Sequence, residues 1–225
     1  MTKIIPVITI DGPSGVGKST LTYAISKKLK WNILESGYMY RIIAFYIIKY
    51  NLSLNKQIIS KLNSLKFDFK VINDKLKIFF NNIDISNKIH SQNISIMASK
   101  IAVLSYIREW LLYKQRSYKK YPGLITNGRD MGTIVFPEAV LKIFLKTTFQ
   151  ERLKRRFIDL TNRGFKIDLN ILYKEMKKRD YRDKNRILCP LKPAKDAIII
   201  NSTKMNIKKT IETSMMYIYQ KLENI

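Results

Sequence analysis

The sequence predicts an α/β fold, a five-stranded parallel sheet with helices on both faces and a small antiparallel sheet inserted into it. Three observations carry this. The apolar, β-branched run Ile4-Ile5-Pro6-Val7-Ile8-Thr9-Ile10 leads straight into Gly12-Pro13-Ser14-Gly15-Val16-Gly17-Lys18-Ser19, which fits G-x-x-x-x-G-K-[ST] between a strand and a helix. Four further short apolar runs are separated by segments of helical periodicity, the arrangement that buries a parallel sheet on both faces. Between the second and third strands, from about Asn63 to Ser86, the pattern changes to short alternating segments.

Taken in order, Leu21, Ile25 and Leu29 give one apolar face to a first helix ending near Lys30, and Trp31 to Leu34 reads as the second strand. Residues 37 to 50 are helical. The inserted sheet is built from Phe67 to Val71 and Lys77 to Phe80, split by Asn73-Asp74 and Asn81-Asn82. Met97, Ile101, Leu104, Ile107, Leu111 and Leu112 recur at helical spacing, which predicts one helix through roughly residue 118. Pro122-Gly123 ends it and opens a strand, Leu124 to Thr126. Val140 to Leu145 is the next strand, and Thr148-x-x-Glu151 has the spacing of a capping box opening a basic helix, Arg152 to Thr161. Arg163-Gly164 breaks it, a polar charged stretch follows, Ala197 to Ile200 is the last strand, and an amphipathic helix from Asn206 to Leu222 closes the chain.

A chain of 225 residues with 46% hydrophobic content can bury a proper core. Its one cysteine, Cys189, excludes an intramolecular disulfide and fits a reducing compartment. There is no run of about eighteen apolar residues and no signal-peptide pattern, so a soluble cytoplasmic protein is expected. Lys+Arg of 42 against Asp+Glu of 17 gives a net charge of +25, which would attract polyanions. The excess comes mainly from scattered lysines beside heavy use of Ile, Asn, Tyr and Phe, all with A/T-rich codons, and reads as compositional drift rather than as a nucleic-acid surface. A nucleic-acid-binding protein retaining a nucleotide fold is the rival, and it would show steeply salt-dependent binding.

The glycine-rich motif has a direct chemical reading. Glycines let the backbone curl until successive N–H groups point into one concavity, and Lys18 with the following helix start adds positive potential. Gly12, Pro13, Ser14, Gly15, Val16, Gly17, Lys18, Ser19 and Thr20 would therefore hold the phosphates of ATP. Lys18 would reach the β- and γ-phosphates and Ser19 would place its hydroxyl on Mg²⁺.

Several further segments resemble bacterial cytidylate kinase: Ile8 to Gly15, Ser36-Gly37 with Tyr40-Arg41, Gly128-Arg129-Asp130-Met131-Gly132-Thr133, and Arg179-Asp180 with Arg182-Asp183 and Arg186. Val135-Phe136-Pro137, Lys142 to Leu145 and Ala194-x-Asp196-Ala197 extend the match over almost the whole chain. The resemblance implies the P-loop nucleoside monophosphate kinase fold, in one kinase domain: a core of about 1–35, 100–150 and 190–225, a monophosphate-binding lobe with the β insert over about 36–99, and a basic lid over about 151–189. It implies transfer of the γ-phosphate of ATP, with Mg²⁺, to CMP or dCMP, by a monomer needing no nucleic acid and no membrane. Another small-molecule kinase of this class, acting on a different monophosphate or a hydroxyl, is the neighbouring alternative.

The residues fit that chemistry, because two polyanions repel and cations must offset the repulsion. By motif, Lys18, Arg129, Arg179 and Arg186 would be catalytic. Arg41 and Arg129 would clamp the acceptor phosphate, and Arg152, Arg156, Arg179 and Arg186 would belong to the closing lid, with Arg152 and Arg156 toward ATP. Which of Arg152, Arg155 and Arg156 faces the phosphates stays open. Ser99, Arg108 and Asp130 would read the base: cytosine offers an amino donor and an N3 acceptor, and uracil reverses both. Ser36 would join the acceptor site, and Asp183, helped by Arg179, would take the sugar.

Three positions depart from the family pattern. Asn127 stands where a carboxylate is usual, Asn201 replaces an expected Asp, and Tyr38 replaces a small residue. Losing the charge at Asn127 should weaken any role in ordering Mg²⁺-bound water, so Asn127→Asp is expected to raise turnover. The lone histidine, His90, reads as solvent-facing or locally bonded, Cys189 as a packing residue, and the aromatics of the inserted sheet as packing rather than a base-stacking platform.

Overall fold

The computed structural model describes residues 4–72 and 75–223. The Asn73-Asp74 split of the inserted hairpin lies outside them. The chain divides into two compact units, Met1–Glu35 with Gln115–Ile225, and Ser36–Lys114.

The first unit is built on a five-stranded parallel sheet. β1 (Val7–Asp11) lies at its centre, and the strand order is β2 (Asn32–Glu35), β6 (Leu124–Gly128), β1, β7 (Leu141–Lys146), β8 (Ile198–Asn201). β1 pairs residue for residue with β6, from Val7↔Leu124 to Asp11↔Gly128, and Glu35 of β2 pairs with Asn127. This register lines up the carboxyl ends of three strands, the edge where a parallel sheet presents its ligands. The core is Ile8 and Ile10 of β1, Leu21 and Ile25 of α1 (Lys18–Leu29), Ile125, Ile143, Leu145 and Ile200 of the other strands, and Met215 and Ile218 of α8 (Ile207–Leu222). Side chains of this size each contribute about 1.5–3 kcal/mol when buried. They fix the strand ends from which the site is built.

Two helices complete this unit. α6 (Phe149–Asn162) begins at Thr148, whose hydroxyl accepts from Glu151 N as the capping-box spacing requires. α7 (Leu169–Asn185) falls in the stretch read from sequence only as polar and charged. Asp168 caps it by accepting from the N–H groups of Asn170 and Ile171, and Leu172 and Met176, one turn apart, pack on Leu160 of α6. Its high charge masks a narrow apolar stripe.

The second unit holds α2 (Ser36–Lys49), a short α3 (Ile58–Asn63), and a three-stranded antiparallel sheet of β3 (Phe67–Ile72), β4 (Lys75–Phe80) and β5 (Ile83–Asp84). Phe80 is fully buried and its ring meets Phe45 and Tyr46 of α2. The insert's aromatics therefore pack a core. The single helix expected through residue 118 is instead two, α4 (Gln92–Ile101) and α5 (Ser105–Arg116). The break at 102–104 carries no Gly or Pro. Arg108 of α5 donates to the carbonyl of Ala102, satisfying a group that the end of α4 leaves open. Among the described residues no helix is long and apolar enough to cross a membrane.

Candidate active site

The glycine-rich loop joins the end of β1 to α1, and its geometry requires its glycines. Gly12, Gly15 and Gly17 have φ of +150, +77 and +99 degrees. A Cβ on Gly12 would overlap the carbonyl oxygen of Leu145, and one on Gly15 would lie 2.8 Å from that of Arg152. Because Gly17 caps α1 in the left-handed region without a side-chain bond, the first-turn N–H groups of the helix stay open to an anion.

Lys18 is buried at the start of α1, where its Nζ donates to Pro13 O at 2.7 Å. Burial first, then the charges of Arg129 and Arg179, hold its ammonium well below the ordinary lysine range. Arg179, on α7, is pushed down to about 10, again by burial and then by Arg129. Like charges thus gather at a buried place, and an anion there would favour the charged forms of Lys18 and Arg179.

Around this cluster the strand ends carry polar side chains. Asp11, at the end of β1, accepts from the N–H groups of Met131 and Gly132 at 3.0 and 2.8 Å. These bonds clamp the segment bearing Arg129 and Asp130, which continues into one wide π-type turn, Met131–Val135. Burial raises the Asp11 carboxyl to about 6 against the opposing pull of the two N–H groups. Ser19 Oγ donates to Glu35 Oε2 at 2.8 Å, and Asn127 Nδ2 donates to Thr22 Oγ1 at 3.0 Å. Thr20 is exposed at the mouth of the loop.

The arginines sort by partner. Arg129 Nε donates to Asp183 Oδ2 at 2.7 Å. Burial alone would raise the Asp183 carboxyl, but Arg129 and Arg179 outweigh it and hold it below the usual range. Arg186 Nη2 lies 3.5 Å from Asp130 Oδ1, an ion-pair distance, while its Nε donates to the carbonyl of Cys189, a residue in the left-handed region at φ +53 degrees. Arg152 grips Asp180 through both guanidinium nitrogens, at 3.0 and 2.5 Å, and also donates to Ser14 O. Arg155 donates to Val16 O, to Ser202 and to Glu151, and Arg156 pairs with Asp159 along its own helix. Of the three α6 arginines, Arg152 and Arg155 bond loop carbonyls, and Arg156 is near enough to lower Arg179 electrostatically.

In the second unit, Ser36 opens α2 and is buried. Arg41, one turn on, donates to Ile89 O at 2.6 Å and Ser95 Oγ at 3.2 Å. Ser99 is buried on α4, and Arg108 bonds Ala102 O at 3.0 Å. His90 is buried rather than solvent-facing, with its ring edge-on to Tyr38 at 5.5 Å. Asn201 closes a local turn by accepting from Thr203 N and Oγ1.

Sequence reasoning had given no role to Asp11, Thr22, Glu35 or Asp180. Asp11 lies inside the Ile8 to Gly15 segment and Asp180 inside Arg179-Asp180, while Glu35 stands immediately before Ser36, and those motif positions are the signal available. Among the described residues no group of three or more His, Cys, Asp and Glu side chains could hold a metal. Ser19 and Glu35 put oxygen donors beside the loop, a sparse hard-donor set that suits a cation carried mainly by phosphates and water.

Comparison with known proteins agrees with this geometry. The family model described as cytidylate kinase matches residues 8–220. A cytidylate kinase of Buchnera aphidicola subsp. Baizongia pistaciae is 46% identical over 226 residues, covering 96% of this chain and 95% of that one. A cytidylate kinase of Salmonella choleraesuis is 42% identical over 224 residues, with 99% of each chain covered. Among solved structures, a protein from Eubacterium ventriosum superposes with a TM-score of 0.50 at 14% identity, over 96% of this chain and 99% of that one, a likeness of fold alone.

Proposed function

Because this chain belongs to the cytidylate kinase family, and is thereby a nucleoside monophosphate kinase, we propose that it transfers the γ-phosphoryl group of ATP to CMP and dCMP, giving CDP or dCDP and ADP. The observation that supports this most strongly is the gathering of Lys18, Arg129 and Arg179 beside the glycine-rich loop, where burial and like charge lower Lys18 and Arg179. Phosphates entering there would favour the charged forms of Lys18 and Arg179 against the burial and like charge that lower them.

On this reading each residue takes a role. The open N–H groups of the loop and of α1 bind the β-phosphate, and Lys18 reaches the transferring phosphoryl group. Arg129, Arg179 and Arg186 stabilise the charge that spreads over that group in a loose transition state, where positioning and electrostatics supply most of the rate. Arg41 takes the acceptor phosphate, Asp130 and Arg108 with Ser99 read the cytosine edge, and Asp183 takes the sugar. Uracil would leave a carboxylate and a guanidinium unpaired, a penalty that favours cytosine strongly. Arg152 and Arg155 act on ATP through the loop carbonyls they hold.

Mg²⁺ fits the residues present, since the Ser19 hydroxyl already points at a carboxylate beside the loop. Bound there, it would neutralise charge on the phosphates. The same reading makes the protein a cytoplasmic monomer.

The test is a coupled assay of ADP formation with CMP, dCMP, UMP and AMP, with Lys18→Ala as control. The expected result is turnover with CMP and dCMP far above UMP and AMP, reduced about 10³-fold or more in the variant. Equal rates with all four acceptors would overturn the assignment of the base-reading residues.

A further inference from the structure

Two cross-links, one helical turn apart, tie α1 to the carboxyl ends of neighbouring strands. Ser19 Oγ donates to Glu35 on β2 at 2.8 Å, and Asn127 on β6 donates to Thr22 at 3.0 Å. The sheet register places Glu35 and Asn127 side by side. One strand end therefore presents a carboxylate to the helix and the other an amide, at the place where phosphates and a divalent cation are expected.

The two ends differ in what they leave available. A serine hydroxyl has one proton and two lone pairs, and here the proton is given to Glu35. The oxygen lone pairs are thereby turned away from the carboxylate, and Ser19 itself is exposed while Glu35 is buried. Asn127 points its Nδ2 at a hydroxyl, so the group it directs toward α1 is a donor, which repels a cation. Mg²⁺ typically binds one or two carboxylates together with substrate phosphates and keeps several waters. Ser19 and Glu35 supply that minimum.

We infer that Glu35 is the positioning carboxylate of the metal–nucleotide site, holding Ser19 with its oxygen free for the cation and supplying the negative charge that Asn127 lacks. The inference rests on the phosphotransfer reading and deepens it by assigning this charge to β2 rather than β6. Glu35 acts through Ser19 and through the electrostatics of the strand end.

The test uses Mn²⁺ as the probe, titrated into full-length protein saturated with ADP and followed by the electron paramagnetic resonance signal of the free ion. ADP affinity in EDTA is measured in parallel as the metal-free reference. Glu35→Gln is expected to weaken Mn²⁺ binding at least tenfold while leaving metal-free ADP affinity within twofold. The double variant Glu35→Gln, Asn127→Asp is expected to recover most of the loss, because the charge returns on the adjacent strand. Mn²⁺ affinity unchanged in Glu35→Gln would overturn the inference, as would an equal loss with and without metal, which would make Glu35 structural. A wild-type protein that binds no ADP would overturn the phosphotransfer reading itself, and this inference with it.

Discussion

The phosphate loop and the α6–α7 pair are both rich in cations, and they hold them in opposite ways. At the loop, burial and the charges of Arg129 and Arg179 lower Lys18, and burial with Arg129 and Arg156 lowers Arg179, by more than Asp11, Glu35, Asp180 and Asp183 restore. Along α6 the arginines are paired with carboxylates: Arg152 with Asp180 of α7, Arg155 with Glu151, and Arg156 with Asp159, which Arg163 just past the helix shares. Like charge gathered at a buried place favours an anionic ligand, whereas a cation held by a carboxylate along a helix mainly fixes geometry. Under the proposed function, the difference separates groups that would act on substrate from groups that brace the elements around it.

Substitutions in the two regions should therefore split activity from stability. Arg179→Ala is expected to lower turnover about 10³-fold, since a transition-state arginine is worth 10³ to 10⁵. Its folding free energy should change by less than the roughly 4 kcal/mol lost from the barrier, because Arg129 and Arg156 repel Arg179 while Asp183 and Asp180 attract it. Steady-state kinetics and urea denaturation of the same preparation check both halves, and a large loss of stability would erase the contrast.

The reverse is expected on the helices. Asp180→Asn leaves Arg152 buried without its bidentate partner, which should cost about 3–5 kcal/mol. The visible effects are a lower denaturation midpoint and a KM for ATP raised several-fold, because Arg152 also holds the Ser14 carbonyl. A stable variant with normal KM would show that the pair braces nothing.

Asp11 carries the comparison into pH. Its carboxyl titrates near 6 in the folded chain against 3.8 unfolded, so its stabilising contribution is full below about 3.8 and is lost as pH rises through about 6. The shift corresponds to roughly 3 kcal/mol. Asp11→Asn should flatten the fall in denaturation midpoint between pH 4 and 7. It should also slow turnover, because an amide offers only one acceptor oxygen to the two N–H groups of Met131 and Gly132.

The smallest effect is expected at Asn127. Asn127→Asp adds a second carboxylate beside Glu35 and should raise turnover a few-fold at limiting Mg²⁺, an effect of about 1 kcal/mol or less. An unchanged or lower rate would contradict this.

What could be read from sequence follows the same division. The glycine-rich loop between β1 and α1 was legible because its signal is local: the glycines, Lys18 and Ser19 are adjacent in the chain and the strand before them is apolar. The five strands were legible because parallel strands buried on both faces are continuous apolar runs. The paired side chains were not, since Asp180 meets Arg152 across 28 positions and Asn127 meets Thr22 across 105. Nothing local marks such partners. α7 was hidden for a related reason, its charged surface outnumbering the Leu172–Met176 stripe. The break between α4 and α5 was hidden because it is satisfied by the Arg108 side chain rather than signalled by Gly or Pro.

The central claim is that the cation cluster directs a phosphoryl group from ATP onto CMP and not onto water. It is tested most directly by incubating the protein with ATP, Mg²⁺ and CMP and resolving the products by anion-exchange chromatography. CDP and ADP in equal amounts, with negligible inorganic phosphate, is the expected result. ADP and inorganic phosphate formed together, without CDP, would contradict it.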